Sequence, residues 1–106
     1  MKKKVSLSLS LILSFFVNCS KWSDYQGHMT WKEADDACKV LGMRLPRLDE
    51  LNEAFKTGKS IHWELTSSFY YWSSTPDRFN FNVMAPYAGE IQSFSPLSEA
   101  GVKCHK

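Results

Sequence analysis

The 106-residue chain lacks the signatures of several large function classes. It contains no G-x-x-x-x-G-K-[ST] phosphate loop, no G-x-G-x-x-G fingerprint and no H-E-x-x-H helix, so nothing in it points to nucleotide, dinucleotide or zinc-protease chemistry. It has little excess charge of either sign. The net charge is +2, but three of the 13 cationic residues are Lys2, Lys3 and Lys4; without them 10 cations face 11 acids. That removes the electrostatic case for nucleic acid, which needs a basic face. With five glycines, four prolines and 14% aromatics, composition argues against disorder. The length suits one small domain and is too short for two. No apolar run is long enough to span a bilayer as a helix, because the longest, Val5 to Val17, has thirteen residues.

That run follows the lysine block directly, the order of a positive n-region and an apolar h-region in an export signal. A small-residue A-x-A cleavage site is absent, since Phe16, Val17 and Asn18 stand in its place. Next comes Cys19, and the segment F-F-V-N-C-S resembles the lipobox of bacterial lipoproteins in its looser, spirochaete-type form. That resemblance implies cleavage before Cys19 and acylation of its thiol. Each buried CH₂ of an acyl chain adds about 0.8 kcal/mol of membrane affinity, so two or three chains anchor a protein durably. The alternative is ordinary secretory cleavage that leaves Cys19 an incidental thiol. The cysteine count bears on the choice: three is an odd number for an exported chain. With Cys19 lipidated, Cys38 and Cys104 remain as one pair for an oxidising compartment.

The sequence therefore divides into a signal peptide (residues 1–18), a lipidated cysteine with a polar tether (19–28) and a folded domain (29–106). Thr30-Trp31-Lys32-Glu33 reads as a capping box. Trp31, Ala34, Ala37, Cys38 and Leu41 then fall at helical spacing, and Gly42 is suited to end the helix. After the extended Met43–Pro46 link, Leu48, Leu51, Ala54 and Phe55 give a second helical stripe that stops near Gly58. Residues 59–68 show weak periodicity and are expected as loop. Tyr70–Ser73, the alternating Phe79, Phe81 and Val83, Ile91–Phe94, and Gly101–Cys104 are expected as strands. Two helices followed by three or four strands make an α+β domain, the helices packing on a small antiparallel sheet.

The order T-W-K-E-A-x-x-A-C-x-x-L-G-M-R-L-P-R-L-D-E-L, then Y-W-S-S-T, then G-E-I, then V-K-C-H-K resembles the Legionella collagen-like-protein C-terminal domain family. The resemblance covers residues 31–106. It implies a C-type-lectin-like fold, distantly related to that of formylglycine-generating enzymes, with Cys38 on the first helix bonded to Cys104 at the last strand. It also implies core positions for Trp31 and Trp72, and a turn satisfied by Ser73, Ser74 and Thr75. Two positions depart from the family pattern: Met43 where a tryptophan commonly precedes R-L-P, and Arg47 where a capping Thr or Ser often follows. The second helix is accordingly expected to be less well capped.

Function is read as binding without catalysis. The formylglycine-generating relatives use a pair of redox-active cysteines, and this chain has none to spare. His28, His62 and His105 stand at no spacing that recommends a triad with Ser67, Ser68, Ser73 or Ser74. The Glu-Pro-Asn, Gln-Pro-Asp and Trp-Asn-Asp triplets of calcium-dependent lectins are absent, so no metal and no cofactor is expected. Arg44, Arg47, Lys56 and Lys59 form only a modest basic group. The candidate ligand face is polar and aromatic: Trp63, Arg78, Asn80, Asn82 and Tyr87 could stack on and hydrogen-bond to a glycan or protein partner. The expected setting is the cell envelope, lipid-anchored at the outer membrane or cell surface, with a monomeric domain. An accessory envelope lipoprotein with no external ligand is the alternative.

Overall fold

A computed structural model describes residues 21–106. The expected signal peptide (residues 1–18) and the lipidation position Cys19 lie outside the described residues.

The chain forms an α+β domain with the order β1 (Gly27–Thr30), α1 (Trp31–Val40), α2 (Leu48–Lys56), a 3-10 turn (Lys59–His62), β2 (Tyr71–Asp77), β3 (Asn80–Met84), β4 (Ile91–Phe94) and β5 (Glu99–Val102). The five strands make one sheet in the order β1-β5-β2-β3-β4. It is mixed and not purely antiparallel: β2 and β5 run parallel, Tyr71 opposite Gly101, while the other neighbours are antiparallel. Gly101 is required there by close approach, since a Cβ at that position would collide with Thr66 Cγ2 and press on the Tyr71 ring.

Strand alternation divides the core in two. Trp72, Val83, Ala100 and Val102 pack with Ala34 and Cys38 of α1 and with Leu45. Their neighbours Tyr71 and Met84 pack instead with Leu51 and Ala54 of α2 and with Trp63. Adjacent strand residues thus serve different helices, and the sheet lies between α1 and α2. The expected helices end within a residue or two of the observed ones. Phe79 is a correction: the strand begins at Asn80, paired with Asp77, and Phe79 is left at the hairpin turn, 93% exposed. The last strand is also earlier than expected, ending at Val102 with Cys104 two residues beyond it.

Both capping positions are filled, by different means. Thr30 and Glu33 form the expected capping box at α1, Thr30 N–H donating to Glu33 Oε1 at 3.0 Å. At α2 the cap residue is Arg47, whose side chain has no acceptor. Two other groups take over: Glu50 Oε1 accepts Arg47 N–H at 2.8 Å, and Thr75 Oγ1 of β2 accepts Leu48 N–H at 2.9 Å. Ser74 N–H donates to Pro46 O at 2.7 Å. The Y-W-S-S-T block is therefore strand throughout and secures the R-L-P link and the start of α2; Ser73, Ser74 and Thr75, expected to satisfy a turn, lie within β2. Its tryptophan is fully buried, with Nε1 donating to Met29 O at 2.8 Å; Trp31 Nε1 donates to Ser73 O at 3.0 Å.

The segment expected to be a tether is part of the domain. Residues 21–28 run antiparallel to the C-terminal segment: Gln26 N–H donates to Val102 O at 2.9 Å, Ser23 N–H to Cys104 O at 2.9 Å, and Lys106 N–H to Lys21 O at 3.0 Å. Trp22 lies against His105 and Trp63, and Tyr25 against Tyr71. The polar letters of S-K-W-S-D-Y-Q-G conceal these contacts because the strand is held by its backbone and by two aromatics. Cys38 and Cys104 form the disulfide, with Cα atoms 5.4 Å apart and a sequence separation of 66.

Candidate functional site

The five residues expected to share one ligand face are not brought together. Trp63 is a core residue, only 5% exposed, because the segment expected as loop folds into the 3-10 turn and drops Trp63 between Trp22 and Tyr71. Lys103 Nζ covers its ring at 5.0 Å from the centroid. Tyr87 is half-exposed, and its hydroxyl donates to the Trp63 carbonyl oxygen. Arg78 sits in the β2–β3 turn, with φ 61°. Asn80 opens β3 opposite Asp77, and Asn82 faces Ser93 of β4. From Asn80 to Met84, which packs against Trp63, the strand covers about 13 Å. Trp63 and Tyr87 therefore belong to one end of β3, and Arg78 and Asn80 to the other.

Alternation nevertheless puts Asn80 and Asn82 on the same face of β3 as Met84, the face covered by α2. On that side lies a groove of about 440 Å³ between the first turns of α2 and the sheet, lined by Arg47, Leu48, Asp49, Asn52, Thr75 and Ile91. Its chemistry is mixed: an amide, a hydroxyl and opposite charges beside two apolar side chains. Arg47 is not a spare cation, since its guanidinium is shared between Asp49 (3.1 Å) and Glu50 (3.2 Å). The volume lies within the range of small-ligand sites. Asn52 carried no signal in the sequence, and Ile91 only the G-E-I motif and an expected strand; their places on α2 and β4 bring them here.

A second groove, of about 530 Å³, lies between α2 and the paired chain ends, with Lys21, Trp22, Asp49, Glu50, Glu53, Ala54, Thr57, Lys59 and His105 around it. Its central acid is fully engaged. Arg44 grips Glu50 with two hydrogen bonds of 2.8 Å, and His105 Nδ1 stands 3.6 Å away. The Arg44 guanidinium, helped by the Arg47 backbone N–H and His105 against the opposing effect of burial, holds the Glu50 carboxyl down at about 2. A carboxylate so stabilised is poorly suited to move protons near neutral pH. Arg44 and Arg47, two members of the modest basic group, are thereby neutralised. Among the described residues no group of three or more His, Cys, Asp and Glu side chains is placed to hold a metal ion. No helix among them is long and apolar enough to cross a membrane. Compared with known proteins, the chain matches no family model and no curated protein.

Proposed function

We propose that this protein is a lipid-anchored, non-catalytic binding module of the bacterial cell envelope. The observation that carries the anchor is the Cys38–Cys104 disulfide: it uses two of the three cysteines in a bond that favours an exported setting, and the third is Cys19, directly behind an export-type segment. We further propose the C-type-lectin-like fold. In support, a cysteine of the first helix is bonded to one just beyond the last strand, and the two ends of the described chain pair side by side.

The α2–sheet groove is the proposed ligand site, taking a neutral glycan or a short peptide by hydrogen bonds to Asn52 and Thr75 and apolar contact with Leu48 and Ile91, without calcium. Chemical-shift mapping of the protein with neutral oligosaccharides and peptides, in chelator, tests this. Perturbations grouped on Asn52, Thr75 and Ile91 are expected. Binding that appears only with calcium, or maps to another surface, contradicts it.

The alternative reading, an accessory lipoprotein that contacts another envelope component, has an observation of its own. Only one residue separates Cys19 from Lys21, whose carbonyl oxygen accepts from Lys106 N–H, so an anchor at Cys19 would hold the domain close to the membrane. Protease treatment of intact cells separates the two: degradation without permeabilisation favours an external ligand, and protection favours the accessory role.

A further inference from the structure

The β2–β3 turn holds a pair of side chains that the fold does not use. Asp77 pairs with Asn80, so Arg78 and Phe79 are the two central residues of the hairpin. Arg78 adopts a positive φ of 61°, a conformation for which tight hairpins prefer Gly, Asn or Asp. Phe79 is 93% exposed, more than any other large apolar side chain described. A hairpin selected for folding alone would place neither an arginine nor a phenylalanine there.

The register shows where this turn lies. Trp22 bridges His105, and Tyr71 stands opposite Gly101 in the parallel pair. β5 ends at Val102, and past it Arg44 bridges His105 while Ser74 N–H donates to Pro46 O, so the part of β2 just beyond Ser74 lies near the level of His105 and Trp22. The Arg44–Pro46 link fills the space between them, bonded to His105 on one side and to Ser74 on the other. From Gln26 back to Lys21 the described chain follows the C-terminal segment out to Lys106; beyond Thr75, β2 runs in the same direction to Arg78 and Phe79. The turn and Lys21 thus lie toward the same end of the sheet. Hydrogen-bonded segments lie about 4.8 Å apart, so the three steps from Trp22 through His105 and the link to β2 put the two segments roughly 14 Å from each other. Lys21 is held by Lys106 N–H at 3.0 Å, and the two residue steps back to Cys19 reach about 7 Å at most.

We propose that the Arg78–Phe79 turn is a second membrane contact, Phe79 entering the interfacial layer of the bilayer that holds Cys19 while Arg78 meets lipid phosphate. An aromatic beside a cation is the pairing that interfacial membrane segments use. The inference rests on the lipid-anchor reading, and it makes the domain lie fixed on the membrane at two points.

The test uses the full-length lipoprotein in vesicles of phosphatidylethanolamine and phosphatidylglycerol. An environment-sensitive nitrobenzoxadiazole label is placed through Phe79→Cys or, as control, Leu97→Cys. Leu97 is 85% exposed in the loop between β4 and β5. Intact mass of each sample reports acylation of Cys19 and retention of the Cys38–Cys104 bond. A blue shift at position 79, with quenching by nitroxide-bearing lipids and neither effect at position 97, is expected. Water-like emission at 79 with Cys19 acylated overturns the membrane contact and leaves the anchor standing. A shielded but unquenched label means that protein covers the turn, which also overturns it. Absence of acyl mass on Cys19 overturns the anchor and this inference together.

Discussion

Glu50 joins three parts of the molecule through one carboxylate: Arg44 from the link, the Arg47 backbone at the start of α2, and His105 near the C-terminus. Its pKa is lowered from 4.5 to about 2, first by the Arg44 hydrogen bonds. The stabilisation is therefore complete above the unfolded-state value and is lost as pH falls through the folded one. Glu50→Gln should cost about 2 kcal/mol at neutral pH, and its deficit against the parent should close between pH 4.5 and 2, measured by denaturant unfolding at several pH values. A deficit that stays constant down to pH 2 would show that the charge on Glu50 is not what matters. Tyr71 makes a second residue-scale case. Its hydroxyl donates to Glu64 O at 2.7 Å, and burial pushes its pKa up. Tyr71→Phe should lose about 1 kcal/mol in thermal unfolding, with no loss expected only if water replaces the bond. Both residues fall in the motifs that carry the family resemblance, but their roles were not legible there, because Arg44, His105 and Glu64 reach them from other segments.

At the scale of elements, α2 shows how a local defect is repaired from a distance. Arg47 cannot cap, and Thr75 of β2 supplies the missing acceptor. Thr75→Val should lower stability by about 1 kcal/mol and raise hydrogen exchange in the first turn of α2 ahead of α1. Arg47→Ser should return part of the loss by providing a local cap; equal exchange in both helices would contradict the account. The helices themselves were legible, since Ala34 and Cys38, and Leu51 and Ala54, fall on stripes of period 3.6 and are the buried residues of each helix. The strands were half legible. Phe81 and Val83 follow the alternation, but the turn at Arg78–Phe79 has no glycine or asparagine to mark it, and so Phe79 reads as strand. The mixed β2–β5 pairing and β1 were hidden because backbone pairing leaves no pattern in letters. Trp63 illustrates the limit at the candidate site: an aromatic in a polar segment reads as surface until the 3-10 turn carries it inward.

For the whole molecule, closure at the chain ends governs stability. The disulfide joins residues 66 apart, and the chain-entropy relation credits such a loop with about 4 kcal/mol. Against the roughly 5–15 kcal/mol typical of a domain, its reduction should bring the protein close to unfolding, with a large drop in midpoint on calorimetry. An unchanged midpoint after verified reduction would show that the sheet and its two helix layers suffice alone. The same closure pins Lys21 beside Lys106.

The anchor itself is best tested by intact mass, on protein extracted from native membranes, before and after reduction. The account predicts a chain beginning at Cys19 with added acyl mass, gaining two hydrogens on reduction as the Cys38–Cys104 bond opens. An unacylated chain, whether cleaved elsewhere or not, would contradict the lipid-anchored reading and remove the basis for placing this domain on a membrane.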